Sequence, residues 1–180
     1  MSNEISRALE RFTNFLEKYG IDYMIIGGYA LSYYGRVRST LDIDIALALR
    51  TEEDLNKFLS ASVDAGYEAS LTSFKNPVFM LLDKESGLEF EIWIRPDGIE
   101  WNDETLKRRR RKRFVDFDIW VISPEDLILN KLARPDRGVI DEQDVKSILL
   151  RLQGELDWEY LEEKAQKADV LSVLNAIKKV

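Results

Sequence analysis

Asp42 and Asp44, in the run Thr40-Leu41-Asp42-Ile43-Asp44-Ile45, alternate with apolar residues and follow a second apolar run, Ile21 to Ile26, that ends in Gly27-Gly28. Alternation with a period of two marks a strand with one buried face, so both carboxylates project to one side while Leu41, Ile43 and Ile45 turn to a core. Two negative charges about 6 Å apart at an effective dielectric near 20 repel by roughly 3 kcal/mol, a sizeable part of a domain's net stability. A fold that keeps such a pair on one face calls for a cation there. Hard oxygen ligands suit Mg²⁺ or Mn²⁺, which bind through one or two carboxylates together with phosphate oxygens. An isolated Asp-x-Asp is more commonly the solvated face of an edge strand, so the pair needs a companion signal.

The glycines supply it. Ile21, Tyr23, Met24, Ile25 and Ile26 suit a buried strand, and Tyr29 to Tyr34 read as a helix opening straight after Gly27-Gly28. Glycine lets the backbone approach a ligand closely, and a helix start offers unpaired N–H groups to an anion such as triphosphate. Taken alone, Gly-Gly is equally the mark of an ordinary tight turn.

Composition narrows the chemistry. There is no cysteine and no histidine, which excludes disulfides, thiol nucleophiles, Ser-His triads and the usual zinc sites. Carboxylates, Lys, Arg, Tyr and Ser must carry any reaction. With 180 residues, 45% of them hydrophobic, the chain can bury a full core. No apolar run approaches the length of a membrane span, and Met1-Ser2-Asn3-Glu4 lacks the features of a signal peptide, so the cytoplasm is the expected location and no membrane partner is expected. Net charge is −7, yet Lys107 to Arg113 are seven consecutive cations, leaving −14 on the rest. That strip either tracks a polyanion such as RNA or tRNA, or is a solvated loop and strand edge whose cations pair with surrounding acids. If Arg113-Phe114-Val115-Asp116-Phe117 is a strand, alternate cations near its start share a side, from which some could line the acidic cleft and meet a nucleotide's phosphates.

Periodicity gives the order of elements. A helix from Ser2 to Tyr19 ends at Gly20, and a second from Glu52 to Ala65 is capped by Thr51 and closed by Gly66. Tyr67 to Thr72, Val78 to Leu82 and Leu88 to Ile94 read as a strand meander with a turn at Gly87. In the last of these Glu89 and Glu91 share a face. A third carboxylate from a neighbouring strand completes a cluster able to hold two ions and activate a hydroxyl; Glu91 is the first choice and Glu89 the second, against the alternative that both face water. Ser123-Pro124-Glu125-Asp126 opens a helix. Lys131 lies close to its apolar stripe of Leu127, Ile128 and Leu132, either snorkelling outward or reaching toward a triphosphate, with Arg134 and Arg137 just beyond. Asp144, on the next helix, is placed to orient Lys131 or an arginine by an ion pair, and two short helices fill Asp157 to Lys179.

The run Ile26-Gly27-Gly28-Tyr29-Ala30-Leu31, followed by Arg36, Arg38, Ser39-Thr40 and Asp42-Ile43-Asp44, resembles the nucleotidyltransferase signature of the DNA polymerase beta superfamily. Ser123 to Leu132, with the later Asp141 and Asp144, is similar to the downstream segment of the branch that includes abortive-infection toxins and uncharacterised prokaryotic relatives. The resemblance covers about residues 20 to 150. It implies an α+β fold: a mixed β-sheet flanked by helices in residues 1–122, with a C-terminal helical segment, 123–180, packed on that core as a single compact unit. It also implies transfer of a nucleoside monophosphate from NTP to an acceptor hydroxyl on RNA, protein or a small molecule, with release of pyrophosphate. By the resemblance, Asp42, Asp44 and Glu91 are metal ligands and catalytic, and Gly27, Gly28, Arg36, Arg38, Ser39, Thr40 and Lys131 bind the nucleotide. Glu89, Arg134, Arg137 and Asp144 support them. Gly27-Gly28 stands where many active members have Gly-Ser, and Glu91 where relatives more often have Asp. These departures leave room for a catalytically weak binding partner, an antitoxin of a toxin-antitoxin pair or an NTP sensor.

Overall fold

Residues 2–40 and 42–179 are described by the computed structural model; Leu41, expected to turn into the core, lies outside them. Along the chain run α1 (Ser2–Lys18), β1 (Tyr23–Ile25), α2 (Gly27–Tyr34), β2 (Ile43–Leu47), α3 (Glu52–Asp64), β3 (Tyr67–Ala69), β4 (Val78–Asp83) and β5 (Glu89–Trp93). There follow α4 (Asp103–Arg108), β6 (Arg110–Phe114), β7 (Phe117–Val121), α5 (Pro124–Ala133), α6 (Val139–Arg151), α7 (Trp158–Lys167) and α8 (Leu171–Lys178). The strands form one mixed sheet in the order β3-β4-β5-β2-β1-β7-β6. β1 and β2 are antiparallel at its centre, while β5 joins β2 and β7 joins β1 in parallel. This is the α+β arrangement expected, and the β3-β4-β5 meander is present. Among the described residues no helix is long and apolar enough to cross a membrane.

One face of the sheet is closed by aromatic packing. Phe12 of α1 stacks on Phe90 of β5 at 4.8 Å between ring centroids and meets Tyr67 edge-on at 5.2 Å, and Phe58 of α3 packs beside Phe15 and Phe79. Full burial of each such side chain contributes roughly 1.5–3 kcal/mol. Because Phe90 faces α1, Glu91 next to it must face the opposite side. Ile43 and Ile45, the register partners of Phe90 and Ile92, likewise send Asp44 to that other side, where α2, α5 and α6 lie packed against one another.

Local signals explain the helix ends. Thr51 and Asp54 form the capping box of α3. Ser123 accepts the Asp126 N–H at 3.0 Å ahead of Pro124, and the Asp126 carboxyl accepts the Tyr160 hydroxyl. Two expectations need correction. The glycine pair is itself the first turn of α2 rather than a turn before it. The segment Arg113 to Phe117 is a hairpin, not a strand: Phe114 pairs with Phe117, which leaves Val115 and Asp116 as the turn, Val115 at φ 51°. Helix α4, capped by Asn102 through the Thr105 N–H, has a start signal that the neighbouring basic run obscures.

The Ser123 cap is buried, so Ser123→Ala should cost about 1–2 kcal/mol, read as a shifted urea midpoint with unchanged far-UV circular dichroism.

Candidate active site

Parallel register between β2 and β5 sets Asp44 directly opposite Glu91. Burial, the adjacent Asp44 charge, a hydrogen bond to Asp44 and the charge of Asp42 push the Glu91 carboxyl up to about 7, against the opposing pull of Arg134. Asp44 is also raised, first by burial and then by Asp42, while its bonds from Glu91 and the Gly28 N–H and the charge of Lys131 oppose the shift. Set side by side and partly buried, each carboxylate raises the cost of ionising the other. A hard cation between two such oxygen donors would offset that cost.

The expectation that Asp42, Asp44 and Glu91 converge as a set of three is corrected in part. Among the described residues no three acidic side chains form a ready metal-ligand group. Asp42 precedes the first paired residue of β2 and is exposed, so water solvates its carboxyl group. It acts on the pair from the rim. Glu89 is exposed, opposite Leu82 in the ladder, and is not among the groups that perturb Asp44 or Glu91.

The glycines are required by what lies against them. Gly27 has φ +61°, and a Cβ there would collide with Asp44 Oδ2; a Cβ on Gly28 would fall 2.8 Å from Thr40 Cβ. The space that glycine leaves is taken by Asp44 and by Thr40, whose hydroxyl donates to the Asp42 carbonyl at 3.2 Å. The start of α2 thus abuts the acidic pair. Ser39 is exposed, its carbonyl accepting from Arg38 at 3.4 Å.

A second carboxylate gathers cations. Asp144, fully buried, accepts from Lys131 Nζ at 2.8 Å, Arg36 Nε at 2.7 Å and Arg38 Nε at 3.3 Å. Burial alone would raise its carboxyl, but Lys131 first, then Arg36 and Arg38, outweigh it and hold Asp144 below the usual carboxylate range. Lys131, 3% exposed, is also 3.6 Å from Asp141. Helix α6 grips the loop after α2 at further points: the Arg36 N–H donates to Ser147 Oγ at 3.0 Å, Arg36 Nη1 to Gln143 at 3.0 Å, and Arg151 to the Gly35 carbonyl at 2.8 Å. Gln143, Ser147 and Arg151 were not anticipated as site residues. Their signal is the helical spacing of 144, 147 and 151 on one polar face of α6.

Arg134, the C-cap of α5, pairs with Asp136 at 2.9 Å and acts on both Asp44 and Glu91. Arg137 instead donates to the Leu132 carbonyl at 2.6 Å, at the end of α5, and lies 3.7 Å from Glu142. The basic run divides. Arg108 pairs with Asp157, Arg109 with Asp22, Arg111 with Glu17 and Arg113 with Asp118, while Lys112 lies over the Tyr34 ring at 5.3 Å. The strip is spread over α4 and the edge strand β6, separated from β2 by β1 and β7. The expectation that its cations line the acidic cleft is thereby corrected, because acids on the protein's own surface take most of them.

Comparison with known proteins adds the family. The family described as "Nucleotidyl transferase of unknown function (DUF2204)" matches residues 5–178. No curated protein matches the sequence. In fold the chain is similar to the antibiotic-resistance factor ANT(2'')-Ia in its solution structure, with TM-score 0.60 and 16% identity over 98% of this chain and 97% of that one. It is also similar to an antigenic nucleotidyltransferase-like protein from Paracoccidioides brasiliensis, with TM-score 0.56 and 19% identity over 98% and 94%. Lincosamide antibiotic adenylyltransferase LnuA, bound to lincomycin, gives TM-score 0.53 and 19% identity over 79% and 94%.

A pH experiment tests the acidic pair. Glu91 is raised from 4.5 to about 7 on folding, so its contribution to stability is complete below pH 4.5 and is lost as pH rises through about 7. In chelator the melting temperature should fall between pH 5 and 8, Glu91→Gln should flatten that fall, and Mg²⁺ should raise stability mainly at the alkaline end. Asp144→Asn removes the counter-charge of buried Lys131 and should cost about 3–5 kcal/mol, measured by urea unfolding.

Proposed function

The chain belongs to the nucleotidyl transferase family of unknown function, and from that premise we propose that it moves a nucleoside monophosphate from NTP to an acceptor hydroxyl, with release of pyrophosphate. The observation that carries this reading is the Asp44–Glu91 pair set against the first turn of α2. Asp44 and Glu91, with Asp42 at the rim, are the residues that would hold a divalent Mg²⁺ or Mn²⁺. Held by these residues, such an ion would supply a lowered pKa for the acceptor hydroxyl and offset phosphate charge.

The remaining roles follow from the chain's own groups. The start of α2, whose Gly28 N–H already bonds Asp44, offers the partial positive charge of a helix N-terminus to the triphosphate, with Ser39 and Thr40 at its edge. Lys131, kept in place by Asp144 and Asp141, supplies a fixed positive charge that needs no reorganisation as charge builds on the leaving pyrophosphate. Arg36 commits its donors to Asp144, Gln143 and the Ile140 carbonyl, so it shapes the loop. Arg38, anchored to Asp144 through Nε and to the Ser39 carbonyl through Nη1, is the arginine this reading assigns to phosphate. Positive charge arriving at the pair would favour the ionised form of Glu91, as Arg134 already does.

For the acceptor, the intrachain pairing of the basic run favours a small-molecule hydroxyl over an RNA backbone. The likeness in fold to LnuA, a lincosamide antibiotic adenylyltransferase with lincomycin bound, is in keeping with this.

Transfer of label from α-³²P NTPs to a panel of small hydroxyl compounds, RNA and protein tests the proposal. Asp44→Asn should lower turnover roughly 100-fold or more with the fold retained, and Arg38→Ala should raise KM for NTP about tenfold, an effect near 1.4 kcal/mol, with kcat less affected. Unchanged labelling by Asp44→Asn overturns the reading. Binding of Mg²⁺ and NTP in calorimetry without any transfer would favour a nucleotide sensor instead.

A further inference from the structure

The outer face of α6 shows apolar side chains to water. While Asp141, Asp144, Val145 and Ile148 turn inward, Val139, Ile140 and Leu150 are 70%, 59% and 68% exposed. At about 100° per residue, Val139, Gln143, Lys146 and Leu150 fall within about 60° of one another around the helix, in the four-three-four spacing of a helix-packing seam. Beside this line two hollows of about 310 and 340 Å³ lie between α6 and α8; they share Lys146 and Ile177, and Val139, Val173, Leu150 and Trp158 add to their apolar lining. A continuous apolar strip rimmed by polar residues marks a contact face.

The order of residues along the strip says what covers it. Val139 and Leu150 stand equally far from the midpoint between Asp144 and Val145, and so do Gln143 and Lys146. A second copy of α6, laid antiparallel about a two-fold axis at that midpoint, sets Val139 against the partner's Leu150 and Gln143 against the partner's Lys146. Glu142, on the α8 side of the strip, then lies on the same flank as the partner's Lys146 and within about one residue's rise of it along the axis. These charges are available: among the described residues Lys146 has no ion pair, and Glu142 has only Arg137, at 3.7 Å. Parallel pairing would instead bring Lys146 beside the partner's Lys146 and Glu142 beside the partner's Glu142, and such like-charge contacts oppose it.

We propose that two copies of this chain pair through α6 and the adjoining edge of α8, antiparallel about a two-fold axis between Asp144 and Val145. One self-complementary patch serves both copies, as in isologous dimers. From Val139 to Leu150 the strip is about 17 Å long, so the interface is small and the pairing falls in the micromolar range. It is independent of the nucleotide-transfer reading.

Sedimentation velocity of the full chain over a concentration series tests the proposal, and should show the 20.9 kDa chain converting to twice its mass. Glu142→Lys alone and Lys146→Glu alone should each weaken pairing tenfold or more. An equimolar mixture of the two variants should pair again, because opposite charges then meet on both flanks. The chain has no cysteine, so register can be read by cross-linking: a Val139→Cys chain mixed with a Leu150→Cys chain should form a disulfide on mild oxidation that neither forms by itself. A chain still monomeric at about 1 mM, pairing that both charge reversals leave intact, or equal cross-linking in the mixture and in the single variants overturns the proposal. Far-UV circular dichroism checks that each variant folds, and should a charge reversal fail to fold, the cross-linking pair decides.

Discussion

Two carboxylates forced together by sheet register set the terms for everything on that side of the molecule. Phe90 and Ile92 commit one face of β5 to the aromatic layer under α1, and the parallel pairing of β2 with β5 then leaves Asp44 and Glu91 side by side on the other. Repulsion between them has to be met by positive charge. The start of α2, Lys131 and Arg134 all bear on the pair, yet none closes on it as a simple ion pair. Asp144 and Asp141 hold Lys131, and Asp136 holds Arg134. The cations are thereby near enough to lower the energy of added negative charge and are kept from neutralising the acids that would receive a metal.

How much of this was legible in the sequence depends on the range of the interaction. Alternation around Asp42 to Ile45 and around Glu89 to Ile92, the Thr51 and Ser123 caps, and the placing of Lys131 near an apolar stripe all express local periodicity, and each appears in the structure. That β5 lies next to β2, which makes Glu91 rather than Glu89 the partner of Asp44, is a long-range choice of neighbours that no local pattern encodes. The destination of the basic run was hidden for the same reason: its partners Glu17, Asp22 and Asp157 are distant in sequence. The Val115 turn was hidden for a different one, since a β-branched residue at positive φ carries none of the usual turn chemistry.

The glycines show how a correct residue can carry an incomplete reason. Small side chains were expected so that a ligand could approach the backbone, and the structure adds that Asp44 and Thr40 already occupy the space beside them. Whatever the turn binds, it must first admit one of the acids. Gly27 therefore ties the start of α2 to the acidic pair through a single excluded methyl group.

The rims of the sheet bear on how copies of this protein can meet. One outermost strand, β3, has three residues, too short to template another chain; the other, β6, is Arg110 to Phe114, whose four cations bring like charges close together when two copies meet along this edge. Lateral growth of the sheet is thus disfavoured at both ends, and self-association, where it occurs, is directed to the helical surfaces.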